Sequence, residues 1–180
     1  MASQGWEILL LSVASEADMD LSEELLELLQ ENARYSTDDL ARMTDADPET
    51  VESEIESLES EGIIRGYQAV VDFEETERER VRAIVELNVT LDRETSYGDI
   101  AERIVQFPEV QELRLVSGDY DFDMEVEGDS MREVSHFISD KIAPIPEITQ
   151  TVTHYHMDTY KTRGIVLGDH DEDDRLSVSP

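Results

Sequence analysis

The apolar positions of this chain change period partway along, and the change divides it. From Leu21 the pattern is helical: Leu21, Leu25, Leu28 and Leu29 recur at helical spacing, with Ser22 as a candidate N-cap. Ser36-Thr37-Asp38-Asp39 has the form of a capping box, Asp39 lying three residues after Ser36, and Leu40, Ala41 and Met43 follow it. Thr44 to Ala46 leaves room only for a tight connection. Asp47-Pro48 then opens a third helix, with aspartate as cap and proline at the first helical position. Val51, Ile55 and Leu58 share one face of it, and Gly62 suits the residue just past its end. Ile63-Ile64 and the alternating run Tyr67 to Val71 predict a strand leaving this unit. Three short helices with a brief turn between the second and third predict a winged helix-turn-helix over residues 19–66.

Residues 67–80 then read as that strand and a linker, since Phe73 to Arg80 is charged and has no period. After it the period falls to two: Val81, Ala83, Val85, Leu87 and Val89 alternate and predict a half-buried strand. Tyr97, Ile100, Ala101, Ile104 and Val105 mark an amphipathic helix ended by Phe107-Pro108. Val110 to Val116 is a second strand, Gly118-Asp119-Tyr120 a turn, and Phe122, Met124 and Val126 alternate with acids in a third strand. Met131, Val134, Phe137, Ile138 and Ile142 mark a second helix, and Ile148 to Tyr160 reads as a long fourth strand. The order βαββαβ over residues 81–161 predicts a ferredoxin-like sandwich, with both helices on one face of an antiparallel sheet. The fold class is therefore α+β: an N-terminal winged helix-turn-helix plus a C-terminal ferredoxin-like βαββαβ sandwich. The open sheet face, with Ile84, Val116 and Tyr160 among polar residues, is a surface for a second copy.

The ends carry no such pattern. Residues 1–18 read as a leader; Trp6 to Ala14 is apolar but short, contains Glu7 and has no base before it, so it does not fit a signal peptide. Met1 and Met19 both stand as candidate starts. Residues 162–180 read as an acidic tail.

Charge changes this picture more than length does. Forty-five acids oppose 14 bases for a net −31 over 180 residues, and only Lys141 and Lys161 are lysines. Clear periodicity argues for folded domains with an acidic surface rather than disorder. Such a surface is self-repelling unless salt screens it, and at molar salt the Debye length is only about 3 Å. The composition resembles that of proteins from halophiles that keep high salt inside the cell, with an ordinary acidic mesophilic protein as the alternative. The absence of cysteine excludes disulfides, thiolate metal sites and cysteine catalysis. No apolar run reaches the length of a membrane span, which predicts a cytoplasmic protein without a membrane partner.

Several motifs carry a resemblance. Leu-Gln-Glu-Asn-Ala-Arg-Tyr-Ser from Leu29, Leu40-Ala41, Thr50-Val51, Ile55, Leu58-Glu59, Gly62-Ile63-Ile64 and Gly66-Tyr67 stand in the first half. Phe107-Pro108-Glu109-Val110 and Ser117-Gly118-Asp119-Tyr120-Asp121 stand in the second. In this order and spacing, over residues 20–161, the chain resembles the leucine-responsive regulatory protein/AsnC (feast/famine) family. The resemblance implies a transcription regulator that binds double-stranded DNA and responds to an amino acid or related metabolite. It also implies homodimers, often assembled into larger oligomers. The chain departs from the family at its recognition helix. The position before Ile55, usually an arginine there, is Glu54, and Asp47 to Glu61 holds seven acids and no base.

The expected DNA-reading residues are Thr37, Thr50, Ser53, Glu54 and Ser57, with the last four taken to point away from the Val51–Ile55–Leu58 face. Thr and Ser bond phosphates or bases, and Glu accepts from cytosine. The usual counterion-release attraction of Lys and Arg is missing, so binding would rest on non-ionic contacts and water. The expected effector residues are Ser117, Gly118, Asp119, Tyr120 and Asp121: turn amides for a carboxylate, and Asp119 or Asp121 for an ammonium. A plain β-turn is the competing account. His154 and His156 share a strand face but lack the partners of a metal site, and His136 and His170 carry no motif. No catalytic, metal or cofactor motif is present, and the chain is expected not to be an enzyme. Two alternatives stay open: a tetrapyrrole (sirohaem) decarboxylase-like enzyme on the same architecture, and a sensing adaptor that pairs with paralogues and no longer binds DNA.

Overall fold

A computed structural model describes residues 20–77 and 80–167. The leader expected over 1–18 and the part of the acidic tail beyond residue 167 lie outside the described residues. The chain divides into two compact units at the step from Ala69 to Val70.

The first unit holds helices α1 (Leu21–Glu31), α2 (Thr37–Met43) and α3 (Pro48–Ser60). Leu25, Leu40, Ala41 and Val51 form its buried centre, and Leu21, Leu28, Leu29, Tyr35, Ala46 and Ile55 pack around them. The chain turns between α2 and α3 with Asp45 in the left-handed region (φ 52°), a conformation that a short polar side chain tolerates. Helix α3 ends in a Schellman arrangement: Gly62 at φ 72° donates to the Glu59 carbonyl, and Ile63 N–H donates to the Leu58 carbonyl.

Two local expectations change here. Helix α1 starts at Leu21 with Asp20 as its cap residue, so Ser22 lies inside the first turn and does not cap. The strand expected over Ile63–Ile64 and Tyr67–Val71 is absent; that stretch is irregular, with Ile63, Tyr67 and Val71 largely exposed. A strand needs a neighbour to take its N–H and C=O groups, and among the described residues this stretch pairs with none.

The second unit has strands β1 (Val81–Val89), β2 (Val110–Leu115), β3 (Phe122–Gly128) and β4 (Ile148–Tyr155). They form one sheet in the order β2-β3-β1-β4, with every neighbouring pair antiparallel. Helix α4 (Tyr97–Ile104) connects β1 to β2. Helix α5 (Met131–Phe137) runs into a π-helical turn over Ile138–Ile142 and connects β3 to β4. A two-stranded hairpin of β5 (Lys161–Thr162) and β6 (Ile165–Val166) follows. This is the ferredoxin-like arrangement expected from the sequence.

Alternation builds the core. Ala83, Val85 and Leu87 of β1 and Phe122, Met124 and Val126 of β3 point to one side, against Ile100 and Ile104 of α4 and Val134, Phe137 and Ile142 from the second helix and its π turn. The fourth strand is shorter than expected. Its ladder with β1 closes where His156 N–H meets the Arg82 carbonyl at 2.9 Å, because β1 begins at Val81 and offers no further partner. Tyr160 therefore lies outside the sheet. Among the described residues no helix is long and apolar enough to cross a membrane.

Candidate functional site

The DNA-reading candidates are set by the caps and sides of α2 and α3. Thr37 is the first residue of α2 and is half-buried; the helix is capped by Ser36, whose hydroxyl accepts from Asp39 N–H at 3.1 Å. Asp47 caps α3, accepting Thr50 N–H at 3.0 Å and the Thr50 hydroxyl at 2.6 Å. These bonds to the charged carboxylates hold Asp39 and Asp47 below the usual aspartate range, the Ser36 and Thr50 side chains contributing most. Thr50 is exposed, yet its hydroxyl proton is engaged in this cap.

Further along α3, Ser53 is exposed, and Ser57 is half-buried and donates to Glu61 at 3.1 Å. Glu54 does not point outward as expected. At about 100° per residue it lies only about 60° from the Val51 direction. There it is half-buried and accepts the Ser22 hydroxyl of α1. The outward face is instead built by Glu49, Glu52, Ser53 and Glu56, all exposed. Glu54 is thus a strut between helices.

The effector candidates occupy the β2–β3 connection. Val116 N–H donates to the Asp121 carbonyl at 2.9 Å and closes a loop of Ser117, Gly118, Asp119 and Tyr120. Gly118 sits at φ 148°, a region that L side chains avoid, so the loop shape needs glycine there. Ser117, Gly118 and Asp119 are exposed, whereas Tyr120 is partly buried.

Asp121 plays a different part. One carboxylate oxygen accepts Val89 N–H at 2.8 Å and the other accepts the Tyr97 hydroxyl at 3.0 Å, while its own N–H donates to the Leu87 carbonyl. The residue ties the loop to the end of β1 and the start of α4. The hydrogen bond from the Tyr97 hydroxyl to Asp121, and then the charge of that carboxylate, push the phenol's pKa up. Of the two aspartates expected to meet an ammonium, only Asp119 stands exposed.

The open sheet face is densely charged and largely paired. Glu127 accepts from both Arg80 and Arg82; Arg114 pairs with Glu112 and lies 3.7 Å from Asp123; Arg163 reaches Glu112 at 3.0 Å; His154 Nε2 lies 3.3 Å from Glu86. His154 is thus a cross-strand partner, and His156 lies just beyond β4. Sequence reasoning missed the Asp121–Tyr97 tie, since Tyr97 has the apolar spacing of its helix. It also missed the packing of Phe73 under Arg80 and Arg82, at 4.6 and 5.5 Å from the ring centroid. The two-residue spacing of Arg80 and Arg82 at the entry to β1 was the available signal.

Similarity to known proteins bears on both units. Residues 20–65 match the family described as winged helix-turn-helix DNA-binding, and residues 82–166 match the Lrp/AsnC ligand binding domain. The HTH-type transcriptional regulator YugG of Bacillus subtilis is 36% identical over 158 residues, covering 87% of this chain and 95% of that protein. The leucine-responsive regulatory protein of Haemophilus influenzae is 26% identical, covering 79% and 86%. Among solved structures, AsnC of E. coli superposes with a TM-score of 0.63 at 26% identity, covering 82% of this chain and 98% of that one. A Neisseria meningitidis transcriptional regulator solved with L-methionine has the same fold, with a TM-score of 0.66 at 21% identity and coverage of 84% and 97%. The chain belongs to the Lrp/AsnC family, a DNA-binding transcription regulator that responds to small molecules and not an enzyme.

Proposed function

We propose that the protein reads double-stranded DNA through the outward edge of α3 and senses an amino acid at the β2–β3 loop. Ser53 and Thr37 supply donors to phosphates and bases, while Thr50 and Ser57, whose protons are held by Asp47 and Glu61, offer hydroxyl oxygens to base donors. Glu54 sets the angle of α3 and contacts no base. At the loop, the amides of Ser117 to Tyr120 receive the effector's carboxylate and Asp119 receives its ammonium, while Asp121 holds the loop in place. The carrying observation is this division of labour: Asp121 is bonded inward with both oxygens, and Asp119, two residues away, is exposed beside a glycine whose backbone conformation other residues avoid. That the Neisseria relative was solved with L-methionine supports an amino acid as the ligand class. The open sheet face, with Ile84 and Val152 part-buried among paired charges, receives a second copy, and the homodimer presents two helix-turn-helix units to DNA in the cytoplasm.

The test is a thermal-shift titration of the full chain with L-methionine and L-leucine. The native protein is expected to gain stability with at least one of them, and Asp119→Ala to lose that gain while its unliganded Tm is unchanged. A full ligand-induced shift in Asp119→Ala removes Asp119 from the contact. Footprinting in molar KCl tests the DNA half, and absence of any protected site would refute it.

A further inference from the structure

The buried side of α3 fixes which hydrogen-bonding groups its other side presents. Val51 and Leu58 are buried, and Ile55 packs beside them. At about 100° per residue, Ser53 points nearly straight away from that side. Glu49 and Ser57 lie about 40° to its left and right, and Thr50 and Glu56 about 60°. Glu52, at about 100°, only flanks the row. Glu49 to Ser57 covers roughly 12 Å along the axis, or three to four base-pair steps of about 3.4 Å. Residues 20–65 match a DNA-binding helix-turn-helix, so this row is what a major groove would meet.

The row is rich in lone pairs and poor in protons. Ionised carboxylates accept and do not donate, which holds for Glu49 and Glu56. The Thr50 hydroxyl spends its proton on Asp47 at 2.6 Å, and the Ser57 hydroxyl spends its own on Glu61 at 3.1 Å. Of these residues Ser53 keeps a proton to give. From Asp47 to Glu61 there is no arginine or lysine to add donors. In the major groove guanine N7 and O6 and thymine O4 are acceptors, whereas cytosine N4 and adenine N6 are donors. A row of acceptors repels the first set and bonds the second. Adenine carries the N7 acceptor beside its amino group; cytosine carries none, so cytosine fits better.

We propose that α3 selects DNA by its amino groups: Glu49 and Glu56 accept from cytosine N4, and they determine which sequence is bound. An arginine on such a helix takes guanine O6 and N7 on the strand it reads; this helix takes cytosine there. The cytosine-reading role expected of Glu54 thus passes to the two glutamates near the centre of the outward row, while Glu54 bonds Ser22. The inference rests on the reading of α3 as the DNA contact and adds the base to it. Repulsion between these carboxylates and the phosphates is screened in molar salt, where the Debye length is about 3 Å.

The test enriches random duplexes on the full chain in molar KCl, then remakes the selected site with single base analogues. 2-Pyrimidinone in place of cytosine removes the N4 amino group, and 7-deazaguanine removes N7. Cytosine is expected at two or more contacted positions of one strand. Each 2-pyrimidinone there should weaken binding about tenfold, the scale of a hydrogen bond to a charged group, and 7-deazaguanine should change it less than about twofold. At one position the penalty should vanish in Glu56→Ala, and at another in Glu49→Ala, which separates a lost contact from a weakened base pair. Glu52→Ala should keep every preference. A selected site that depends on guanine N7 overturns the proposal, as does a 2-pyrimidinone penalty that is the same in the native protein and both alanine variants. Either result leaves α3 standing as the DNA contact. Enrichment of no sequence at all would remove that reading and this inference together.

Discussion

The two units carry the same excess of acid and use it in opposite ways. In the sheet unit five arginines are engaged with carboxylates: Arg80 and Arg82 with Glu127, Arg103 with Glu147, Arg114 and Arg163 with Glu112. In the helical unit the ion pair among the described residues is Arg42 with Asp39, adjacent on one helix and exposed. Its other acids cap a helix, as Asp47 does, accept from nearby hydroxyls, as Glu54, Glu59 and Glu61 do, or face solvent, as Glu49, Glu52 and Glu56 do. Positive charge in this protein organises the sensing unit and is nearly withheld from the DNA-reading one. A regulator that meets DNA with an acidic helix has given up the long-range attraction that usually drives binding. What remains to it is shape and short-range hydrogen bonding.

The comparison breaks most easily at the cores. Leu25 and Leu87 are both fully buried, but Leu25 belongs to a centre of four buried residues and Leu87 to one of twelve. Truncating either to alanine should cost about 2–5 kcal/mol. For a unit of some fifty residues, with a stability of roughly 3–7 kcal/mol, that is most of what it has. Leu25→Ala is therefore expected to abolish DNA binding while the effector-induced thermal shift persists. Leu87→Ala should lower the main calorimetric transition and leave a folded sheet. DNA binding retained in Leu25→Ala would show that the small core is not what holds the reading face.

A smaller effect probes the pairing itself. Glu127→Ala leaves two partly buried guanidiniums without their shared acceptor, and is expected to destabilise the sheet unit by about 1–3 kcal/mol in urea denaturation. Arg42→Ala in the helical unit removes an exposed pair and should change stability by less than about 0.5 kcal/mol. Equal losses would erase the contrast drawn between the units.

At the DNA face, Ser53→Ala is expected to weaken specific binding several-fold, about 1 kcal/mol for a neutral hydrogen bond, and Glu52→Ala to leave it unchanged or strengthen it. The dependence of log K on log salt should be far shallower than the slope of roughly −5 to −9 expected of a protein making six to ten phosphate contacts. A conventional steep slope, measured by anisotropy from low to molar KCl, would mean that Arg34, Arg42 or Arg65 carries the affinity after all.

Much of this was legible in the sequence because it is local. Capping at Ser36 and Asp47, the glycine end of α3 and the alternation of β1 and β3 are decided within a few residues, and the βαββαβ order then leaves few topologies. Glu54 was misjudged because its neighbour is Ser22, 32 positions away on another helix. Asp121 read as one of two equivalent aspartates, since nothing nearby shows that Val89 and Tyr97 take its oxygens. The strand after Gly62 failed for the converse reason: its alternation is real, but a strand is defined by a neighbour, and among the described residues none pairs with it. The linker's lack of period concealed Phe73, whose packing depends on Arg80, just before β1, and Arg82 within it.

The finest distinction between the units lies at alkaline pH. Two tyrosines, one in each, have pKa values raised above the ordinary 10.0, for different reasons. Partial desolvation of its hydroxyl raises Tyr67 first, although the side chain is half exposed, aided by its hydrogen bond to Glu59, whereas at Tyr97 the hydrogen bond to Asp121 comes first and the charge of Asp121 second. A phenol whose folded pKa lies above its unfolded one contributes stability that is complete below pH 10 and is lost as pH climbs through the folded value. Both units should therefore weaken above pH 10. Tyr97→Phe is expected to flatten the alkaline decline of the sheet unit and to loosen the effector loop by freeing one Asp121 oxygen. Tyr67→Phe should flatten the decline of the helical unit alone and leave effector binding untouched. Ultraviolet titration of each variant counts the late-titrating phenol that has gone. Should Tyr67→Phe alter effector affinity as much as Tyr97→Phe does, the Glu59 bond is coupled to the sensing unit and the two halves are not the separate instruments described above.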